Sequence, residues 1–235
     1  MDWLTQHHIA HRGLHEGFSI PENSLLSFQK AINNNFAIAL EIRITKDKQI
    51  IVFRDKTLLR VCAINKKIST LPYSKIKKIP LYNSNHTIPL LKDVLNLVND
   101  QVPIIIEVKN YSEVGLFETI LMNQLDQYKG RIAICSSNIE VIKWFKEYRP
   151  HILRGFIYGD LHKSNIRFYK TVFLYSLLSS APDFISLDYK LLNTLLPKIC
   201  RLFNKQVLCW TVNNKKKMKK AKQLTHNIIF ENIKP

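Results

Sequence analysis

The chain has 235 residues, of which 46% are hydrophobic and 23% charged, so its composition excludes a disordered or collagen-like protein and provides for a packed core. Lysine and arginine number 35 against 18 acidic residues, and the net charge of +17 favours anionic partners such as phosphorylated metabolites, phospholipid headgroups or nucleic acid. The alternative is that much of this charge is simply solvated surface.

Short apolar segments alternate with longer amphipathic ones along the chain, and we predict eight strands from this pattern. They are Ile9–Arg12, Ile38–Ile42, Ile104–Val108, Ile132–Cys135, Leu153–Ile157, Phe184–Leu187, Val207–Thr211 and Ile228–Phe230. Helical patterns fill most of the intervals, the first of them beginning after Ser24 as N-cap. Repeated strand–helix–strand order requires crossovers and therefore a parallel sheet. Eight such strands favour a closed (β/α)8 TIM barrel over an open doubly wound sheet.

One segment interrupts the alternation after the second strand. Ile50–Phe53 follows Ile38–Ile44 after only five residues, which is too short for a crossover, so we predict an antiparallel β-hairpin. Residues from about 56 to 90 have little regular pattern and are predicted to form a small inserted loop region beside the hairpin. We therefore expect a single barrel domain over residues 1–235, with an inserted region at about 46–100.

The cysteines and the apolar segments indicate in which cellular compartment the protein is located. The four cysteines form no C-x-x-C pair, and three lie in apolar segments, as is typical of reduced, buried thiols in a cytoplasmic protein. The N-terminal sequence lacks a secretory pattern, and the longest mostly apolar stretch, Val172–Leu178, is far shorter than the roughly 20 residues of a membrane-spanning helix. We predict a cytoplasmic protein with no transmembrane segment.

Charged side chains gather at the carboxyl ends of the first three predicted barrel strands and after the hairpin. They are His11, Arg12, Glu41, Arg54, Glu107 and Lys109. Two carboxylates on separate strands, beside basic side chains, can bind a divalent cation and a phosphate together. Taken singly, each is more often a satisfied structural residue, but their concentration at one end of a barrel favours a site.

Several short motifs occur in a specific order along the chain. They are His11-Arg12-Gly13, Pro21-Glu22-Asn23-Ser24, Thr45-Lys46-Asp47, Val52-Phe53 before Arg54-Asp55, Ile88-Pro89-Leu90, Glu107-Val108-Lys109 and Trp210-Thr211-Val212-Asn213. In order and spacing the chain resembles the glycerophosphodiester phosphodiesterases, nearly from end to end. The resemblance implies a (β/α)8 barrel that hydrolyses deacylated phospholipid headgroups to glycerol 3-phosphate and an alcohol. It also implies one divalent cation, Mg²⁺ or Ca²⁺, and two histidines as general acid and base.

The resemblance and the chemistry of the side chains together suggest roles for nine residues. We expect His11 to be catalytic, Arg12, Arg54 and Lys109 to bind phosphate, and Glu41 and Glu107 to bind the metal. Glu22, Asn23 and Trp210 are expected to support the site.

Two positions depart from the pattern of the family. Its second histidine corresponds to Arg54, which cannot exchange a proton near neutrality but can bind a phosphate in bidentate fashion. One of its metal-binding carboxylates is replaced by Ala39, or, in the alternative register, by Arg43. Either register removes one of three ligands, so we expect a divalent cation to be weakly bound if at all.

These departures leave two functions open. We expect a phosphodiesterase of phospholipid headgroup metabolism whose activity is reduced by Ala39 and Arg54. The alternative is a catalytically inactive relative, a pseudoenzyme that binds phosphate or a phosphodiester. His7, His8, His15 or His86 could in principle replace the missing histidine, but we expect them to be surface or loop residues. We expect the ligand to be a small-molecule glycerophosphodiester or phosphate. Nucleic-acid binding is not expected, because the lysine-rich run 215–220 contains no aromatic residues. The oligomeric state is open.

Overall fold

The structure is a computed structural model, and it describes residues 3–159 and 169–235. Eight parallel strands form a closed (β/α)8 barrel with helices between them, and one further strand, β3, pairs outside the ring. The strands are β1 Ile9–His11, β2 Ala37–Ile44, β3 Ile50–Val52, β4 Ile104–Val108, β5 Ile132–Ser136, β6 Leu153–Tyr158, β7 Phe184–Asp188, β8 Gln206–Val212 and β9 Asn227–Phe230. The predicted fold class is confirmed.

Ten α-helices occur in the described part of the chain, most of them between successive barrel strands. They are α1 Trp3–Gln6, α2 Leu25–Asn33, α3 Leu59–Cys62, α4 Tyr73–Ile76, α5 Leu91–Val98, α6 Leu116–Leu125, α7 Ile139–Tyr148, α8 Tyr169–Ser180, α9 Leu196–Leu202 and α10 Lys215–Leu224. The Ser24 side chain accepts a hydrogen bond from the Ser27 N–H and caps α2, as its sequence position predicts. None of the helices in the described ranges is both long and apolar enough to cross a membrane.

The chain divides into two compact units, and the first contains residues 10–132. In it β2 pairs with β4 in parallel and with β3 antiparallel, so the predicted hairpin is confirmed. Ile38, Leu40 and Ile42 are fully buried on one face of β2, which leaves Glu41 on the opposite face. Glu41 is the register partner of Glu107 on β4. The two carboxylates therefore belong to neighbouring positions of the sheet.

The segment after the hairpin is packed rather than irregular. It contains α3, α4 and a 3₁₀ turn at Ile68–Thr70, arranged around a small apolar core. The buried members of this core are Ile51, Phe53, Leu58, Val61, Ile68, Ile76, Leu81, Ile88 and Leu90. The two helices are four residues long, too short for a helical period to be visible in the sequence. The assignment of residues 1–235 to a single domain, with an inserted region at about 46–100, stays a prediction.

Among the described residues, the second unit contains 3–9, 133–159 and 169–235. Strands β6 to β9 are parallel, each paired with the next. The Asn227 side-chain amide donates to the carbonyl oxygens of Leu4 and His7, both at 2.7 Å, and ties the N-terminal segment to β9. This unit also contains Trp210, on β8.

Candidate active site

The end of strand β1 turns sharply and directs Arg12 toward Glu41. Arg12 and Gly13 have φ angles of 59° and 77°, in the left-handed region. The Arg12 N–H donates to the Ala39 carbonyl oxygen at 2.6 Å. A Cβ atom at Gly13 would lie 2.6 Å from Ser27 Oγ, so glycine is required both by the backbone angle and by the close approach of α2. The His-Arg-Gly motif therefore has a conformational role besides its chemistry.

Glu41 lies at the centre of the charged residues and is only 2% exposed. Its Oε1 atom accepts a hydrogen bond from Arg12 Nε at 2.9 Å and lies 3.7 Å from His11 Nε2. Its Oε2 atom accepts from Asn23 Nδ2 at 2.8 Å. Burial by itself would raise the pKa of Glu41, but the charges of Arg12, His11 and Lys109 lower this pKa well below its ordinary value. Glu41 is therefore a charged carboxylate at neutral pH, with hydrogen bonds to both oxygens.

Glu22 is the second buried carboxylate of this region, and four polar contacts hold it. Arg60 Nη2 and Nη1 donate to its two oxygens at 2.6 and 2.9 Å. Arg12 Nη1 and the Tyr82 hydroxyl donate to Oε2 at 3.1 and 3.2 Å. Arg60 Nε also donates to Asp55 Oδ2 at 2.6 Å. Sequence reasoning missed Arg60, because no motif marks it and it lies in the segment predicted to be irregular.

Arg54 lies beside Glu41 at the end of the hairpin. Its Nε atom is 3.9 Å from Glu41 Oε1, and its Nη1 atom is 3.5 Å from Asp55 Oδ1. The Arg54 side chain is 40% exposed, whereas that of Arg12 is 11% exposed. Arg12 is thus committed to the two buried glutamates, while the Arg54 guanidinium remains accessible to a ligand.

Lys109, which follows β4, and Arg43, on β2, complete the arrangement. Lys109 Nζ contacts Glu107 Oε1 directly. Burial would lower the pKa of Lys109, but Glu107 and Glu41 raise it above its ordinary value, so the amine is protonated. Arg43 donates from Nε to the Arg54 carbonyl oxygen at 2.8 Å and from Nη1 to the Lys109 carbonyl oxygen at 3.3 Å. Arg43 therefore links the backbones that present Arg54 and Lys109.

We refer to this group as the Glu41 cluster. Its residues are His11, Arg12, Glu22, Asn23, Glu41, Arg43, Arg54, Asp55, Arg60, Glu107 and Lys109. All of the sequence-predicted site residues except Trp210 belong to it. Trp210 lies in the other unit, where its indole N–H donates to the Ser186 carbonyl oxygen at 3.1 Å.

Two of the candidates for a second histidine, His8 and His86, have described contacts outside the Glu41 cluster. His8 lies in the other unit, with Nδ1 3.4 Å from Asn227 Oδ1. The backbone N–H of His86 donates to Ser84 Oγ at 3.1 Å, which places this residue within the segment after the hairpin. The expectation that the candidate histidines are surface or loop residues, rather than replacements for the missing group, stays a prediction.

The donor set does not fit a tightly held divalent cation. Mg²⁺ and Ca²⁺ need about six or more oxygen ligands, of which carboxylates are the strongest. In residues 3–159 and 169–235, no group of three or more His, Cys, Asp and Glu side chains is arranged to hold a metal ion. Glu41 already accepts from Arg12 and Asn23, and Glu107 contacts Lys109.

The fold and the Glu41 cluster define a barrel protein with a positively charged site at its strand ends. A model of the glycerophosphoryl diester phosphodiesterase family matches residues 11–232, and the chain belongs to this family. A glycerophosphodiester phosphodiesterase of Bacillus altitudinis is 27% identical over 176 residues, covering 69% of this chain and 71% of that protein. These similarities make the chain a glycerophosphodiester phosphodiesterase-like protein.

Solved structures show the same fold. A phosphodiesterase of Oleispira antarctica, in complex with the product sn-glycerol-3-phosphate, superposes with a TM-score of 0.82 at 17% identity, over 97% of this chain and 93% of that one. A glycerophosphodiester phosphodiesterase of Thermotoga maritima gives a TM-score of 0.77 at 20% identity, over 96% and 94% of the two chains.

Proposed function

We propose that the Glu41 cluster binds the phosphodiester group of a glycerophosphodiester and hydrolyses it slowly to glycerol 3-phosphate and an alcohol. The observation that carries this proposal is the convergence of His11, Arg12 and Arg54 on the buried carboxylate of Glu41. Family membership supports the reaction, and the product complex of the Oleispira antarctica relative supports glycerol 3-phosphate as the first ligand to test.

The charges of the cluster suit a phosphodiester anion. In the described part of the chain the cluster combines five cationic side chains with four carboxylates, which leaves one net positive charge before His11 is counted. These are Arg12, Arg43, Arg54, Arg60 and Lys109, with Glu22, Glu41, Asp55 and Glu107. A phosphodiester carries a single negative charge, so its binding neutralises the cluster.

The activity is reduced because one of the two proton-transfer groups is missing. His11 is the cluster's imidazole, and the Glu41 carboxylate, 3.7 Å from its Nε2 atom, orients the ring. Arg54 occupies the position at which the family resemblance places a second histidine, and an arginine does not release its proton near neutrality. Losing one general acid or base costs about 10²–10⁴ in rate. The alternative is a binding protein that has lost turnover entirely.

Two finer expectations accompany this proposal. Any Mg²⁺ or Ca²⁺ bound at Glu41 and Glu107 is held weakly, because both carboxylates have basic partners. A cytoplasmic location is supported by the four cysteines, all of which are free thiols, three of them buried.

The test is calorimetry and product release with a glycerophosphodiester such as glycerophosphoethanolamine. We expect saturable binding by the wild-type protein and slow release of glycerol 3-phosphate. His11→Gln should bind comparably but reduce release to the uncatalysed level. Absence of binding to both glycerol 3-phosphate and the diester would refute the proposal, whereas binding without any His11-dependent release would select the inactive alternative.

A further inference from the structure

The backbone around Arg54 holds its side chain next to Glu41. The Arg54 carbonyl oxygen accepts from Arg43 Nε at 2.8 Å, and Phe53 N–H donates to the Glu41 carbonyl oxygen at 2.8 Å. The hairpin end is thus fixed against β2. From this anchored position the Arg54 guanidinium reaches to within 3.9 Å of Glu41 Oε1 and is still 40% exposed.

The contacts of Arg54 leave it able to turn to a ligand at low cost. Its ion pair with Asp55 is long, at 3.5 Å, whereas Arg60 Nε holds the other oxygen of Asp55 at 2.6 Å. Asp55 therefore keeps a strong partner if Arg54 moves. A guanidinium presents two parallel N–H donors that match two phosphate oxygens. If Arg54 exchanges Asp55 for a phosphate group, its positive charge still has a negative partner.

A divalent cation would enter the same place against unfavourable charge. It would have to compete with Arg12 for Glu41 and with Lys109 for Glu107, and it would add two charges to a cluster that is already net positive. Ala39, which shares a face of β2 with Glu41, has no side-chain oxygen to offer. The metal and the guanidinium are thus alternative sources of positive charge, and the residues present favour the guanidinium.

We propose that the site binds a phosphate group without a divalent cation, and that the Arg54 guanidinium supplies the charge and the bidentate hydrogen bonds that hold it. This inference rests on the proposed function. The ligands concerned are phosphate monoesters and diesters of glycerol, which share the non-bridging oxygens that Arg54 recognises.

The experiment is calorimetric titration of sn-glycerol 3-phosphate into the full chain, once with EDTA and once with excess Mg²⁺ or Ca²⁺. We expect dissociation constants that agree within about twofold. Arg54→Gln should weaken binding about 10- to 100-fold in both buffers, the loss expected for hydrogen bonds to a charged group. Arg54→Lys, which keeps the charge but not the paired donors, should fall between. Lys198→Gln removes the same charge from an exposed position in the other unit and should have no effect.

The outcomes separate this inference from the proposed function. Binding that disappears in EDTA and returns with Mg²⁺ or Ca²⁺ would overturn the inference and leave the proposed function intact. Binding in EDTA that is indifferent to Arg54→Gln would also overturn it, provided that thermal unfolding shows the variant to be folded. Absence of binding in every buffer would overturn the proposed function itself. Direct titration of Mg²⁺ or Ca²⁺ into the ligand-free protein should give no saturable heat at micromolar concentrations.

Discussion

Arg60 donates to both carboxylate oxygens of Glu22, at 2.6 and 2.9 Å, across 38 positions of sequence. Arg60 belongs to α3 in the segment after the hairpin, and Glu22 lies just before α2. Glu22 in turn accepts from Arg12, which donates to Glu41. The segment after the hairpin therefore positions the centre of the site through one chain of charged hydrogen bonds.

Replacing Arg60 should test this chain. Arg60→Ala leaves Glu22 buried with fewer donors, so we expect the free energy of unfolding in urea to fall by about 1–3 kcal/mol. As a positioning residue, Arg60 should also affect ligand affinity through Arg12, which a purely structural role would not do. Lys143→Ala breaks an exposed pair with Glu140 and should lower the free energy of unfolding much less than Arg60→Ala. Equal losses in both variants would contradict the buried network.

How far the sequence predicted the structure depends on the length of each pattern. The barrel strands and the hairpin were predictable because runs such as Ile104–Val108 are long enough for their apolar character to show, and because five residues cannot make a crossover. The four-residue helices α3 and α4 fall below that limit. Their apolar residues pack on one another across the segment, which no local period records.

The site was predictable to a similar degree. Motifs placed His11, Arg12, Glu41 and Lys109 at strand ends, where a parallel sheet brings them together. The partner of Glu22 was not predictable, because a contact between side chains 38 positions apart depends on tertiary packing. The sequence also does not show that Arg43 donates hydrogen bonds to two backbone carbonyl oxygens. These contacts depend on the direction of the Arg43 side chain, which the spacing of residues along the chain does not determine.

Gly13 and Gly17 provide a matched pair for the turn that presents Arg12. Both have positive φ, at 77° and 56°, but a Cβ atom at Gly13 would meet Ser27 at 2.6–2.8 Å, whereas one at Gly17 would meet nothing within 4 Å. Gly17→Ala should cost about 1 kcal/mol for the left-handed backbone alone, and Gly13→Ala about 2–4 kcal/mol, because the clash with α2 is added. Urea unfolding measures both. Similar losses in the two variants would show that α2 can yield to the extra methyl group.

The buried glutamates should make stability depend on acid pH. Burial would raise the pKa of Glu22, but hydrogen bonding to Arg60 and the charges of Arg12 and Arg60 lower this pKa below its ordinary value of 4.5. The pKa of Glu41 is also lowered. Because the unfolded chain then binds more protons than the folded one, the two glutamates contribute fully to the free energy of unfolding above about pH 4.5. This contribution is lost as the pH falls through their lowered pKa values.

A variant isolates the contribution of Glu22 to this pH dependence. Glu22→Gln should be less stable than the wild type by about 1–3 kcal/mol at pH 7, since it loses the charge that Arg12 and Arg60 neutralise. The difference should shrink as the pH falls from 4.5 toward 3, because protonation then removes the same charge from the wild type. Urea unfolding at several pH values measures it. A difference that stays constant over this range would mean that Glu22 has no lowered pKa.

Two substitutions should raise turnover if the reduced activity has the causes proposed. Arg54→His supplies a second imidazole beside Glu41, and Ala39→Glu supplies a further carboxylate on the same face of β2. In the presence of Mg²⁺ or Ca²⁺ we expect the double variant to hydrolyse a glycerophosphodiester about 10²- to 10⁴-fold faster than the wild type, the range that one acid or base contributes. Each single variant should gain less, because the proton-transfer group and the cation act together.

Ala39→Glu also has a readout that is independent of turnover. Ala39 is buried, so a glutamate there is destabilising without a partner, and added Mg²⁺ or Ca²⁺ should raise the melting temperature of this variant more than that of the wild type. His11→Gln in the double variant is the control and should abolish the gain in rate. A wild-type protein that already turns over as fast as the double variant would show that Ala39 and Arg54 do not limit the reaction, and that another group supplies the second proton transfer.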